Sequence, residues 1–504
     1  MSAAVSRQPP VVGKIPMNRR LFIPLAAGLL CGPALFPQSR SSEPIDPEPI
    51  DIGSRRELFV DDYLIGSMDG VRLQLQRPQP AGKAVAFDQP WEGNTSLYVT
   101  VMEDDGRYRM YYRGSTHPDY VIQSMVRPDE PVPEEHPQLT AYAESKDGIN
   151  WTKPPLGIYE FNGSKQNSIV WMGEGGHNFA PFKDANPAAP ASERYKALAG
   201  GPLLALKSAD GLHWEKMRDE PVITDGKFDS QNVPFWDEVR GHYVAVYRDF
   251  RHGVRTIKTA TSKDFIHWTP GEWADYGDAP PEQLYTNATV PYFRAPHIYL
   301  AFPKRFMPFR TKVDDEKNNG LSDGVFMSSR DGVHWHRFIE GFIRPGRDER
   351  NWVHRTNAVS RGIVATAPDE ISLYVARNYT YPTAYIERMT LRTDGFVAVT
   401  AGYPGGELVT KPLIFNGERL YLNYATSGAG SIRIEFQNEK GQALPGFSLE
   451  DSPVLYGDDI DGEVAWERPG TRTDQTPLRN VTGQVIKIRF VMRDADLFSL
   501  RFGK

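Results

Sequence analysis

The feature that most constrains this chain is a seven-residue pattern, Ser-x-Asp-Gly-x-x-Trp, that recurs at nearly even spacing. It reads Ser145-Lys146-Asp147-Gly148-Ile149-Asn150-Trp151, then Ser208 to Trp214, and again Ser329 to Trp335. A variant, Ser262-Lys263-Asp264-Phe265-Ile266-His267-Trp268, has Phe in place of Gly, and Arg392-Thr393-Asp394-Gly395-Phe396 is a degenerate fifth copy. The intervals are 63, 54, 67 and 63 residues, a length that suits one four-stranded antiparallel unit with variable loops. A second mark keeps phase with the first: an asparagine opens an apolar run ahead of each copy, at Asn94, Asn178, Asn232, Asn287 and Asn357. Two marks in phase, five times over, predict an all-β chain whose main part, residues 57–395, is a five-bladed β-propeller.

Each unit parses alike. The asparagine starts strand A, a tyrosine-rich run such as Tyr243 to Arg248 forms B, C leads into the Ser-x-Asp-Gly hairpin, and D closes the blade. Apolar and polar residues alternate as strands require. In the hairpin, Ser and Asp side chains cap the turn, Gly takes the left-handed conformation, and Trp packs between sheets. Leu58 to Ile65 is a candidate for the strand that closes the ring. Past Gly395 the marks stop while strand-like alternation continues, so residues 396–504 are expected to form a separate β-sandwich. Forty-one prolines, forty-four glycines and twenty-three tyrosines fit such a turn-rich β chain.

Residues 1–40 carry the marks of an export signal: Arg19-Arg20, an apolar run from Leu21 to Leu30, then small residues and prolines. Residues 41–56 are a linker. Cys31, the one cysteine, lies within the signal, and Leu30 before it argues against lipid attachment. The expected mature chain is secreted or periplasmic, has no transmembrane segment, and uses neither disulfides nor a thiol nucleophile. A formal charge of −6 and no basic stripe exclude a nucleic-acid partner. No metal motif or cofactor signature stands out, although a structural ion on the axis stays open, as does the oligomeric state.

Topology then locates a site. In an antiparallel blade the start of A and the end of B share one face, opposite the hairpins, and A is innermost. On that face the sequence places Glu92, His177, Asp229, Glu282 and Arg355 near the starts of successive A strands, with Arg113, Arg248, Arg305 and Arg377 at the ends of B. Carboxylates among arginines and aromatic rings match a sugar, whose hydroxyls need donors and acceptors while its apolar face stacks. Glu92 and Asp229 lie in blades across the axis, and paired carboxylates hydrolyse glycosidic bonds. The candidates are therefore Glu92, Asp229 and Glu282 for catalysis. Asn94, Arg113, His177, Asn178, Asn232, Arg248, Asn287, His297, Arg305 and Arg355 are candidates for binding substrate.

The five-fold unit resembles the superfamily of glycoside hydrolase families 43, 32, 68 and 130. Glu57-Leu-Phe-Val-Asp-Asp-Tyr-Leu, Trp91-Glu-Gly-Asn, Tyr285-Thr-Asn-Ala, Arg294-Ala-Pro-His297 and Asp494-Ala-Asp496-Leu also look like a group of secreted bacterial glycosyl-hydrolase-like proteins with a C-terminal sandwich. The resemblance implies a base or nucleophile in blade one, a pKa-modulating aspartate in blade two and an acid in blade three. Glu92 falls on the first role, where the family usually has Asp, and Asp229 on the third, where Glu is usual. Blade two offers His177 and Asn178 instead of a carboxylate, which leaves Glu282 as the candidate modulator. The separation across the axis favours inversion over retention.

Two other classes stay open. A carbohydrate-binding propeller would keep the arginines and aromatics without catalysis. A glycoside phosphorylase would need a phosphate cluster, for which Arg294, His297, Lys304 and Arg305 are candidates, although an export signal argues against it.

Overall fold

The computed structural model describes residues 48–120, 134–313, 319–466 and 478–504. The signal region with Cys31, and the linker up to residue 47, lie outside the described residues. Five antiparallel sheets contain the repeated marks. In the first, Leu97–Asp104, Arg107–Gly114, Leu139–Ser145 and Ile169–Met172 follow one another, with Trp151–Thr152 also paired to the third. The second runs Ala180–Lys183, Tyr195–Gly200, Leu203–Ser208, Glu215–Lys216, and the third Val233–Asp237, His242–Arg251, Val254–Ser262, Glu272–Trp273. The fourth is Val290–Tyr292, Ala295–Ala301, Met327–Ser329, Trp335–Arg337. A short companion sheet, Gln283–Leu284, Lys304–Met307 and Leu321–Gly324, lies alongside in sequence. The fifth joins Val364–Ala367, Glu370–Arg377 and Tyr385–Arg392 to Gln79–Ala86 from the other end of the sequence.

The hairpin motif does the structural work its chemistry suggests. Ser145 Oγ accepts from the amides of Asp147 and Gly148, and Asp147 Oδ1 accepts from those of Ile149 and Asn150. Trp151 Nε1 then donates to Gly148 O at 3.2 Å. The same bonds recur at Ser208, Ser262 and Ser329. Gly148 has φ +70°, and a Cβ there would meet Thr366 Cγ2 at 2.9 Å, so the turn also fits closely against the fifth sheet. Phe265 accepts φ +68° because its ring is wholly buried against Phe182, Tyr243 and Trp268.

Consecutive sheets are joined by buried tyrosine–aspartate bonds. Tyr195 Oη donates to Asp104 at 2.7 Å, Tyr243 to Asp184 at 2.8 Å, and Tyr299 to Asp237. Turn carbonyls add a second set of links: Tyr111 Oη reaches Gly211 O at 3.0 Å, Thr259 Oγ1 reaches Gly332 O at 2.6 Å, and Tyr374 Oη reaches Gly148 O at 2.5 Å. The last of these ties the fifth sheet to the first. With neighbours on both faces, strands such as Glu370–Arg377 are buried along nearly their whole length rather than on alternate residues.

The first strands meet at a centre. Arg361, at the entry to the fifth sheet, exchanges backbone bonds with Val99 and Val101 of the first and extends its guanidinium to the carbonyls of Pro181 and Pro234 in the second and third. Burial lowers its pKa to about 10. Gln231 Nε2 likewise bonds Tyr98 O at 3.0 Å and Thr100 Oγ1 at 2.9 Å. Residues from the ends of all five first strands, among them Met102, Phe182, Trp236, Pro291 and Val364, line one cavity of about 420 Å3.

An eight-stranded sheet built on Arg419–Gln437 and Lys487–Gly503 packs around its own core of Phe415, Phe436, Phe447, Trp466, Phe490 and Phe502. It recruits Glu57–Leu58, Ile65–Asp69 and Val71–Leu75. The stretch expected to close the ring therefore begins in this second sheet, and Gln79–Ala86 pairs with Tyr385–Arg392 in its place. The degenerate fifth motif sits at the junction, where buried Asp394 accepts from Arg56, Ser499 and Tyr292 and pairs with Arg294. Among the described residues no helix is long and apolar enough to cross a membrane.

Candidate functional site

Backbone geometry at the strand starts sets the site. The five marking asparagines are 0–1 % exposed, and their amides clasp backbone. Asn178 Nδ2 donates to the carbonyls of Gly200, Phe228 and Ser230, while its Oδ1 accepts from Gly200 N at 2.7 Å. Asn94 holds His117 and Thr380, Asn232 holds Phe228 and Ser230, Asn287 holds Val246, and Asn357 holds Ser322 and Asn351. Asn94, Asn178 and Asn232 thus spend their amide hydrogens on fixing the loops, while Asn287 commits one of its two to Val246 O.

Those loops aim side chains at one place. Tyr98 and Arg355 both adopt left-handed backbone, at φ +55° and +62°, which a bulky side chain tolerates where packing overrides the strain. Tyr98 lies under the Arg113 guanidinium at 4.7 Å. Arg113 is fixed by bonds to Thr95 O at 2.6 and 3.1 Å and reaches Tyr379 Oη at 3.3 Å. Around the Tyr285 ring stand three cations, with Lys304 Nζ at 4.1 Å from the centroid, Arg248 at 4.6 Å and Arg255 at 5.3 Å. The Tyr285 hydroxyl donates to Asp229 Oδ2 at 3.1 Å, and Asp229 is solvent-exposed.

The electrostatics couple these groups. Burial, reinforced by Arg355, Arg248 and Arg113, holds the Lys304 ammonium well below its ordinary pKa, with Asp229 pulling the other way. Burial also lowers His177, helped by Arg113 and opposed by Asp229. Arg255 is lowered by burial and then by Arg248, with Arg355 adding to it. Burial raises the Tyr98 phenol, and Tyr285 and Asp229 add to the effect.

Of the expected site residues, Arg113, His177, Asp229, Arg248 and Arg355 come together. Glu92 does not join them: it is fully buried, with Lys153 Nζ at 2.6 Å and Gln89 N at 2.9 Å on Oε2 and Tyr112 Oη at 2.5 Å on Oε1. Burial raises its pKa, and Lys153 and Tyr112 oppose this. Its place at a strand start directs it back into the first sheet. Glu282 is held by Arg305 at 3.1 Å and Arg337 at 2.9 Å, and Arg305 also forks onto Asp323. His297 pairs with Glu57 at 3.1 Å, and Arg294 with Asp394 and Asp461. The four residues considered for phosphate are therefore dispersed, with Lys304 alone among them beside Tyr285. Tyr98, Arg255, Tyr285 and Tyr379 were not anticipated. Tyr285 stands two residues before the marking Asn287, and that proximity was the available signal.

No family model matches the chain, and no curated protein matches it in sequence. Several solved structures similar to it are described as glycoside hydrolases, and one as an N-acetylgalactosamine deacetylase. One, described as a glycoside hydrolase, is 15% identical over 63% of this chain and 92% of its own, with a TM-score of 0.44. A glycoside hydrolase family 43 arabinoxylan arabinofuranohydrolase from Bacillus subtilis, in complex with cellotetraose, is 11% identical over 84% and 99%, with a TM-score of 0.40. A GH130-family protein, described with glycoside hydrolases that target β-1,2 mannosidic linkages in Candida mannan, is 14% identical over 66% and 96%, with a TM-score of 0.36.

Proposed function

We propose that this chain is an exported five-bladed β-propeller with a C-terminal β-sandwich, and that it cleaves glycosidic bonds of an oligo- or polysaccharide where the first strands begin. One observation carries the reading. Asp229 is an exposed carboxylate at the start of an inner strand, bonded by Tyr285 and set among the rings of Tyr98, Tyr285 and Tyr379. Aromatic faces for a sugar ring beside a carboxylate for its glycosidic oxygen are the minimum that proton transfer to a leaving group requires.

Asp229 acts as the proton-transfer group. The role first given to Glu92 passes to His177, a half-buried imidazole close enough to Asp229 and Arg113 for both charges to act on it. The pair is then one carboxylate and one histidine. The test is a screen of purified protein against plant and algal polysaccharides for new reducing ends. Asp229→Asn should lower turnover about 10²–10⁴-fold while the protein folds normally. Wild-type turnover in that variant removes Asp229 from the mechanism. Glycan binding with no new reducing end from the wild type favours a carbohydrate-binding propeller, a reading supported by Glu92 and Glu282 both being engaged in ion pairs.

A further inference from the structure

Resting on that reading, we infer that the sugar bound at this site carries an oxyanion, a carboxylate or sulfate, held by Lys304, Arg248, Arg255 and Arg355. This protein gives acids to most of its other poorly exposed cations. Arg305 has Asp323 and Glu282, Arg330 has Glu57 and Asp61, Arg377 has Glu387, and Arg388 has Glu370. Around Tyr285 this pattern breaks down. Among the described residues Lys304, Arg248, Arg255, Arg355 and Arg113 have no carboxylate within ion-pair distance, and the acid nearest them, Asp229, is bonded by Tyr285. Neutral oxygens hold Arg113, Arg248 and Arg255, from Thr95, Lys227 and Gln283.

Lys304 is the sharpest case. It is 1 % exposed, and its ammonium has no hydrogen-bond or ion-pair partner among the described residues, facing the Tyr285 ring instead. Arg248 is 4 % exposed and its Nη1 has no partner. Burying cations without counter-charge is costly, and a fold that gives acids to most of its poorly exposed arginines, Arg361 at the centre being held by carbonyls instead, gathers these at the proposed ligand-binding face. A planar or tetrahedral oxyanion presents several acceptors to forked guanidiniums and a point ammonium together. A neutral sugar hydroxyl leaves those charges uncompensated.

The experiment measures binding by calorimetry to the full chain bearing Asp229→Asn, so that cleavage does not interfere. The probes are oligogalacturonate, a glucuronate-bearing oligosaccharide, a sulfated galactan fragment, their neutral counterparts and inorganic phosphate. At least one anionic sugar should bind ten times more tightly than its neutral counterpart, and the advantage should vanish in Lys304→Met. Lys304→Met should also melt no lower than its parent, because no partner is lost, and Arg355→Met provides a second reading. Equal binding by neutral sugars, no binding by any anionic sugar, or binding by phosphate alone overturns the inference, the last outcome pointing to free phosphate as a co-substrate. An anionic sugar that binds but is never cleaved by the wild type sinks the cleavage reading and leaves this one standing. Cleavage of a neutral glycan alone does the reverse.

Discussion

Lys304 sets its ammonium 4.1 Å from the centre of the Tyr285 ring, while the hydroxyl of that ring donates to Asp229 at 3.1 Å. One tyrosine therefore serves two purposes, an aromatic platform for cations and a donor that orients the exposed carboxylate. Tyr285→Phe separates them. The ring and its cations remain, so KM for a cleaved glycan should change less than threefold. The lost hydrogen bond to a charged group is worth about 1.5–3 kcal/mol, so kcat should fall roughly tenfold or more. Steady-state kinetics on the substrate found by screening check this, and an unchanged kcat removes the orienting role.

The His177 imidazole has a lowered pKa, through burial first and Arg113 second, against a pull from Asp229. The sign of each variant follows. Arg113→Met removes a repelling cation and should raise the midpoint, whereas Asp229→Asn removes the stabilising anion and should lower it further. NMR titration of the ring protons reads both. A midpoint above 6.5 in the wild type, or shifts of the opposite sign, contradict the arrangement.

The architecture was more legible than the site, for a physical reason. Turn chemistry is local: Ser, Asp, Gly and Trp at fixed offsets bond one another within seven residues, so the pattern is complete in the sequence. The asparagine marks were equally visible, but their partners are carbonyls 22 to 52 residues away, as at Asn178, and this distance concealed that they are clasps. Glu92 and Asp229 occupy comparable positions before their strands, yet Lys153 draws one inward while Tyr285 meets the other at the surface. Only the three-dimensional neighbour decides between them. The N-terminal strands escaped for a similar reason, since Glu57–Leu58 and Ile65–Asp69 pair with segments more than three hundred residues on.

Asn178 makes three donor contacts and one acceptor contact with backbone, all buried. Asn178→Ala strands the buried Gly200 amide and removes one donor from each of three carbonyls, of which Phe228 O and Ser230 O keep Asn232. At about 1–3 kcal/mol for a stranded buried group, stability should fall by about 2 kcal/mol. Chemical denaturation measures it, and a loss under 1 kcal/mol argues against the clasp.

Glu57 joins the eight-stranded sheet to the fourth blade-like sheet through His297 at 3.1 Å and Arg330 at 2.8 Å. Burial pushes its carboxyl up, but the His297 bond and the Arg330 charge prevail and lower the pKa from 4.5 to about 2. A depressed carboxyl stabilises the fold above its unfolded value, and that contribution, about 3 kcal/mol here, fades as pH falls from about 4.5 toward 2. Glu57→Gln should therefore melt well below the wild type at pH 7, with the gap narrowing at pH 3. A constant gap across that window would show that charge is not what Glu57 contributes.

Glu92 offers the clearest contrast with Asp229, because the two carboxylates occupy matching places in the sequence and opposite ones in the fold. Lys153, at 15 % side-chain exposure, donates hydrogen bonds to Glu92, Ala86 O and Asp88. Glu92→Gln removes one partner of a buried ion pair, and such breaks cost about 3–5 kcal/mol because the other charge is stranded. Glu92→Gln with Lys153→Met removes both charges and should recover much of that loss. Once folded, neither variant should change kcat more than about threefold, since no catalytic group touches Glu92. Asp229→Asn should do the converse, cutting turnover about 10²–10⁴-fold with a stability change within about 0.5 kcal/mol, as expected of an exposed position. Melting curves and kinetics on the same three preparations decide it. A hundredfold loss of kcat in stably folded Glu92→Gln would return Glu92 to the catalytic pair.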